Sequence, residues 1–578
     1  MDESFGAMVN QGSRFAPTVE TAHQVQPSPV TPLRASVAGR VWSAANRNPG
    51  CTLAGVVVFY LAIAGGQAAT KLLWCDELIT LAIARQGSLA AIWRALAGGA
   101  DPNPPLSHWL VLEATRMFGQ SALAVRLPAI LCVLLAIVSL WAILRRWVCP
   151  GYAAVGVLAF MATRGFDYAY DARSYAPLMG FTMAAVALWL AACDSPETGR
   201  RWPPQNGVRL AALMGMAASL VLALSSNYYG VLAFLPIAAG EIILTVRKRR
   251  LKPGTWLAMA AAALPLCEYL PLIRHNLAEF GPHAWNRPRA SMISDSYLEL
   301  VEGVFWPVLG LALYAAWRRW RRLIATTSVG GPSFQRPLLK GSVASTSTSL
   351  QPHETAALAV LLLYPLLGFL IALLGHGMIS PRCVAPVCCG FGIAAALLAS
   401  RTFGAGARAG VFALSIALVW VAARESACAY VLAGQRTAFF QVRDEVARQP
   451  GNQPIAVADS LLVLPLARYS SDDVRDRIVF PIDFDAIHRL EPDDSGEQNL
   501  WAGREGLFPV HIVAYAPSIF AGPTLTVVAR PGGWLAQRLA GDGLHLDETT
   551  PQTPWQSLGG VFTPLAHEDT RILTGHRF

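Results

Sequence analysis

Apolar runs long enough to cross a membrane recur between residues 51 and 429, whereas 1–48 and 430–578 mix polar and apolar positions as water-soluble chain does. A helix needs about 20 residues to cross the ~30 Å hydrocarbon layer. Segments near that length predict eleven spans, at roughly 51–70, 124–144, 149–164, 176–193, 208–225, 229–246, 254–273, 298–317, 355–375, 384–400 and 409–427. Residues 1–48 lack an apolar core and are rich in Ser, Pro, Gln and Ala. They are expected to form a disordered cytoplasmic tail without a signal peptide, leaving Cys51 to Ala69 as an uncleaved signal anchor.

Beyond 430 the period changes. Short runs at 455–458, 477–480, 510–515 and 525–529 read as strands, and 460–469 and 533–539 as helices. Such alternation predicts a small α/β domain over 430–578. It contains no GxGxxG or P-loop, so no cofactor is implied there.

Composition agrees with the membrane reading. The 578 residues are 54% hydrophobic and 14% charged, against about 25% charged in a soluble domain. The formal charge of +9 sits in short clusters between apolar runs, which orients a membrane protein better than it binds nucleic acid. With the N-terminus inside, Arg145-Arg146, Arg200-Arg201, Arg247 to Arg250, Arg318 to Arg322, and Arg401 with Arg408 all fall on the cytoplasmic side. The odd count then places the C-terminal domain in the periplasm. One segment, 105–119, is short and carries Glu113 and Arg116, so it reads as an amphipathic helix in the outer interface. A short tilted span is the alternative, and it would put the later clusters outside. The outer loops are 71–123, 164–175, 274–297 and 376–383, and the long inner loop 323–353 reads as flexible. The ten cysteines lie mostly in apolar segments and none in a zinc-like spacing.

The outer loops hold the candidate chemistry. Trp74-Cys75-Asp76-Glu77 follows the first span, and paired carboxylates near hydrocarbon need solvation, a partner or a function. An apolar setting raises a carboxyl pKa, which suits a general base for a hydroxyl. A plain helix cap at Asp76 explains the dipeptide as well. Asp101-Pro102-Asn103-Pro104-Pro105 then supplies a stiff turn, and Arg126 opens the second span. The loop 164–175 packs Asp167, Asp171, Arg173 and Tyr175 among further Arg and Tyr residues. Arginine beside aromatics suits a phosphate with a sugar next to it, although an aromatic belt with snorkelling arginines would look similar. Glu268, Arg274, His275, His283, Glu299 and Glu302 add rim charge, and Arg382 is placed to meet a lipid phosphate.

The ordered set Asp76-Glu77, Asn103-Pro104-Pro105-Leu106, Gly119 with Arg126-Leu127-Pro128, Ala172-Arg173-Ser174-Tyr175 and Pro381-Arg382 resembles glycosyltransferase family 39. This family of GT-C fold comprises the protein O-mannosyltransferases and their bacterial relatives, the lipid A aminoarabinose transferases among them. The resemblance covers about residues 51–400 and rests on the combination, since no single motif is specific. It implies that Asp76 is the catalytic base and that Glu77 helps place the acceptor. It implies donor-phosphate contacts for Arg173, Tyr175 and Arg382; Asp171 is expected beside them, and Asn103, Arg126, Asp167 and His283 are expected to meet the acceptor or shape the loops. Two positions depart from the pattern. Asn103 stands where the mannosyltransferases usually carry His, which weakens a protein Ser or Thr acceptor, and Cys383 stands where Tyr is common.

The expectation is a mainly α, polytopic GT-C fold with about eleven transmembrane helices at 49–429 and a small extracytoplasmic α/β domain at 430–578. It is expected to be an inverting glycosyltransferase of the bacterial inner membrane. A polyprenyl-phosphate-linked sugar would be its co-substrate, and a glycan, lipid or protein hydroxyl of the cell envelope its acceptor. The acidic rim could hold a divalent metal, but no ligand spacing supports one. A secondary transporter or lipid flippase is the rival reading. It fits less well, because the acidic residues gather at span ends and not at the midplane.

Overall fold

The structure, a computed structural model, describes residues 36–577 apart from 195–205, 285, 328–348, 405, 450–452, 492, 521, 523, 549–564 and 568. Among the described residues, eight helices are long and apolar enough to cross a membrane: Pro49–Thr70, Ala122–Leu144, Tyr175–Cys193, Gly207–Ser226, Tyr228–Lys248, Pro253–Phe280, Ser291–Arg321 and Ala407–Arg448. A ninth candidate is broken, Pro352–Leu362 and Tyr364–Leu374 meeting at a 63° bend. Pro365 has no N–H to continue the first half's ladder, which accounts for the break there. Two shorter apolar helices, Pro150–Met161 and Val387–Phe403, match the remaining two segments expected.

Some boundaries differ from the expectation. Val37–Arg47 is a helix and not part of an unstructured tail, because Trp42 is buried against the Tyr152 ring, 5.0 Å away edge to face. Residues 1–35 of that tail, and 328–348 of the inner loop, lie outside the described residues. The last span does not stop near 427. It belongs to one 42-residue helix, Ala407–Arg448, about twice the length a bilayer requires, so the boundary drawn at 430 falls inside a helix.

The C-terminal portion forms one six-stranded sheet in the order β3-β2-β1-β4-β6-β5. The strands are β1 Ile455–Val457, β2 Ile478–Ile482, β3 His511–Ala514, β4 Thr524–Ala529, β5 Leu544–Glu548 and β6 Arg571–Arg577. β3, β2, β1 and β4 run parallel, with Ile455 opposite both Ile478 and Thr526, while β4–β6 and β6–β5 are antiparallel. β5 and β6 were not expected. LHLDE offers too few apolar positions to stand out, and RILTGHR finds its partners only through the fold.

Two features position the site. The second and fourth spans approach very closely: a Cβ on Gly180 would sit 2.3 Å from the Cys132 carbonyl oxygen, so only glycine allows the contact. Their ends that carry Arg126 and lead from Arg173 are thereby held together. Second, the loop after the first span and the sheet domain share one hydrophobic core, in which Leu73, Ile79 and Leu81 join Phe439, Val463 and Leu466. The Leu73 N–H donates to the Tyr469 hydroxyl at 2.8 Å and the Cys75 thiol to the Ser460 carbonyl at 3.1 Å. The domain therefore lies on the same side of the helical bundle as Asp76.

Candidate active site

Arg126 lies one turn into Ala122–Leu144, a helix capped by Ser121, and is completely buried. Its guanidinium donates to the carbonyls of Ala68 (2.8 Å), Lys71 (2.7 Å) and Leu72 (2.9 Å), which frayed from the C-terminus of the first span. Those carbonyls have no helical partner, so one arginine satisfies three orphan acceptors. Its remaining donors reach Glu77, Nε to Oε1 at 2.7 Å and Nη2 to Oε2 at 2.5 Å.

Glu77 is equally buried. Oε1 also accepts from the Ala172 N–H at 2.8 Å, and Oε2 from the Trp74 N–H at 3.4 Å. Burial alone would raise its carboxyl, yet Arg126 and Lys71 outweigh that and hold it below the ordinary value. Both oxygens are committed. Glu77 ties three segments together, its oxygens bonded to Arg126, Ala172 and Trp74.

Asp76 is the opposite case. The helix Cys75–Ala84 takes Trp74 as its cap, so Asp76 sits in the first turn, and among the described residues no backbone N–H bonds its carboxylate. The capping alternative does not apply. Its side chain is 25% exposed, with Oδ2 3.5 Å from Arg173 Nε and 3.9 Å from Arg382 Nη1. Burial raises its carboxyl above the ordinary value, the two guanidiniums opposing the shift.

Arg173 follows a 3-10 turn, Tyr168–Tyr170, that inverts the chain between spans. It bridges the site: besides Asp76 it donates from Nη1 to Asp101 Oδ2 at 2.6 Å and to the Thr80 hydroxyl at 3.2 Å. Burial would raise Asp101, but Arg173 and His108 hold it well below the usual carboxylate range. Asp101 Oδ1 accepts from Asn103 N and Nδ2 at 2.8 and 2.6 Å, and Asn103 Oδ1 in turn accepts from Ser174 Oγ at 2.9 Å and Asn227 Nδ2 at 3.2 Å. Tyr175 packs on Tyr168, ring centroids 5.2 Å apart. Arg382 lies in the short turn Pro381–Val384, its guanidinium over the Trp74 ring at 5.7 Å. It is 23% exposed, and among the described residues its only charge contact is the long one to Asp76.

Asp171 and Asp167 make their direct contacts with other groups. Asp171 accepts from the Trp74 indole at 2.9 Å. Asp167 forms a two-pronged pair with Arg424 at 2.7 and 2.6 Å and accepts from the Tyr170 hydroxyl at 2.8 Å. Thus Asp76, Asn103, Arg173, Tyr175 and Arg382 converge, Glu77 and Arg126 support them from behind, and Asp167 and Asp171 brace the loop. The side chain of His283 lies outside the described residues. Lys71, Asp101, Asn227 and Arg424 complete the cluster without having been singled out individually. Asp101 had a sequence signal in its proline-rich turn, whereas Arg424 is paired across 257 positions and had none. Among the described residues no three His, Cys, Asp or Glu side chains are grouped to hold a metal.

Residues 102–270 match a family described as dolichyl-phosphate-mannose-protein mannosyltransferase. That stretch contains Asn103, Arg126, Arg173 and Tyr175, while Asp76 precedes it and Arg382 follows. No curated protein matches the chain. Among solved structures, ArnT from Cupriavidus metallidurans in the apo state aligns at TM-score 0.55 and 13% identity, over 90% of this chain and 98% of that one. The same protein bound to undecaprenyl phosphate aligns at TM-score 0.52 and 14% identity, over 90% and 97%. The chain is a multi-pass membrane protein with the GT-C fold of membrane glycosyltransferases. Its helical bundle and sheet domain together follow ArnT over nearly the whole length of both proteins.

Proposed function

We propose that the chain transfers a sugar from a polyprenyl-phosphate carrier to an acceptor hydroxyl at the outer face of the inner membrane, inverting the anomeric centre. The single observation that carries this reading is Asp76, partly exposed between Arg173, which is bonded to Asp101 and Thr80, and Arg382, which is nearly uncommitted. A base for a weakly acidic hydroxyl needs that exposure and a raised pKa. Asp76 takes the acceptor proton as the acceptor oxygen bonds the anomeric carbon. The bond from that carbon to the phosphate oxygen breaks, and the electron pair leaves on the lipid phosphate. Arg382 and Arg173 then face the charge that develops on the phosphate. A single displacement inverts the centre. Undecaprenyl phosphate, found bound to the structurally similar ArnT, supports the carrier class.

The reading is tested with a panel of undecaprenyl-phosphate monosaccharides supplied to the chain in lipid nanodiscs with envelope extract as acceptor source. Wild type consumes a donor of the panel, and Asp76→Asn binds that donor without turnover. Turnover by Asp76→Asn at the wild-type rate would end the proposal.

A further inference from the structure

Around Asp101, the ends of several helices meet in a polar seam. Asn276, from the helix Pro265–Phe280, is 4% exposed; its Nδ2 donates to the Pro102 carbonyl at 3.2 Å, while its buried Oδ1 has no hydrogen-bond partner. His108, 1% exposed, sets Nε2 3.7 Å from Asp101 Oδ2 and leaves a buried Nδ1 unpartnered. The Tyr228 hydroxyl, within electrostatic reach of Asp101, is buried and unpartnered as well. So is His275 Nε2, which lies against Gly99. A buried donor or acceptor left unmet is costly, so four in one seam are not what a merely structural contact would retain.

The types of group are specific. Amide, phenol and imidazole groups offer donors and acceptors together, without a free guanidinium or ammonium among them. Aromatic faces border them, Tyr228 against Tyr269 at 6.1 Å and Trp93 stacked on Tyr269 at 5.9 Å. Hydroxyls arrayed around an apolar ring face, as in a neutral sugar, meet both halves of this pattern, whereas an ionised phosphate has no donor for the Asn276 Oδ1 and no apolar face for the rings. The seam is also one guanidinium away from the base, since Arg173 contacts Asp101 through Nη1 and Asp76 through Nε.

We infer that this seam is an acceptor subsite and that the acceptor hydroxyl belongs to a neutral sugar unit, not to a protein side chain or a lipid phosphate. The inference rests on the transfer reading above and goes further by naming the acceptor class. The C-terminal domain borders the seam, Ala502 packing close to Gly99.

The experiment titrates the full chain in nanodiscs with neutral methyl glycosides and disaccharides, read by saturation-transfer NMR and by indole fluorescence. In parallel, undecaprenyl phosphate binding is measured on the same samples. Tyr228→Phe removes one hydroxyl and keeps the ring, and Asn276→Asp keeps the volume. At least one saccharide is expected to bind wild type and to lose about tenfold in affinity in Tyr228→Phe, the equivalent of one hydrogen bond. Undecaprenyl phosphate binding should be unchanged in both variants. Absence of saccharide binding by wild type, binding indifferent to both substitutions, or preferential binding of a Ser/Thr peptide at the seam would overturn the inference. Loss of undecaprenyl phosphate binding by wild type would instead count against the transfer reading, and the saccharide titration separates the two.

Discussion

Glu77 and Arg126 meet in a two-pronged ion pair that no solvent reaches, Nε–Oε1 2.7 Å and Nη2–Oε2 2.5 Å. Adjacent in sequence, Asp76 and Glu77 thus have different tasks. The helix that begins at Cys75 turns one acid inward to three backbone segments and the other outward to two guanidiniums. Breaking a buried pair by removing one partner costs about 3–5 kcal/mol, because the survivor stays charged and uncompensated. Arg126→Met should therefore lower the thermal unfolding midpoint sharply or abolish monodisperse expression, with a smaller loss for Glu77→Gln. An unchanged midpoint in Arg126→Met would contradict the assignment.

Arg382 makes the contrasting prediction. Among the described residues its guanidinium anchors no backbone segment, so Arg382→Ala should unfold at the wild-type temperature. Affinity for undecaprenyl phosphate should nonetheless fall about 10- to 100-fold, the range of a charge-assisted hydrogen bond. Calorimetry and lipid titration on the same preparation check both halves.

The pH dependence follows from Asp76. Burial raises its carboxyl and the neighbouring guanidiniums lower it again. A general base acts only when ionised, so kcat/KM should climb with pH through the Asp76 titration and then level. Arg382→Gln removes one of the opposing charges, so the folded carboxyl rises further and the midpoint of the climb must move to higher pH. A midpoint that stayed or moved down would show that another group limits the rate.

The sheet domain is joined to the loop after the first span through a common core, in which Leu73, Ile79 and Leu81 lie with Phe439, Val463 and Leu466. Truncation after Arg448 should therefore expose apolar surface and cause the remaining chain to aggregate. Tyr469→Phe, which removes only the hydroxyl that receives the Leu73 N–H, should cost about 1 kcal/mol of stability. A truncated chain that remained monodisperse would mean that the two parts fold independently.

Much of this arrangement is legible in the sequence, for definite reasons. Spans are visible because hydrocarbon demands long apolar runs, and all eleven segments correspond to helices, counting the bent pair once. Asp76, Arg173 and Arg382 stand out because charge beside a membrane is costly and therefore sparse. What is hidden depends on tertiary contact. Nothing in Asp76-Glu77 tells which acid is buried, since Arg126 decides it from 49 positions away. The Asp167–Arg424 pair is equally non-local, and Arg424 reads as an ordinary residue near the end of a span. The extension of Ala407–Arg448 beyond the membrane is masked because its helical pattern continues while its hydropathy falls. β5 and β6 pair antiparallel at the sheet edge, where alternation is weak and partners are distant.

The account depends most on the lipid phosphate lying at the Asp76 cleft. A structure of the chain in nanodiscs with bound undecaprenyl phosphate tests that directly. The phosphate is expected within hydrogen-bond distance of the Arg382 guanidinium, with Asp76 open on its other side. A phosphate bound at the opposite ends of the spans, or leaving Arg382 without contact, would contradict it.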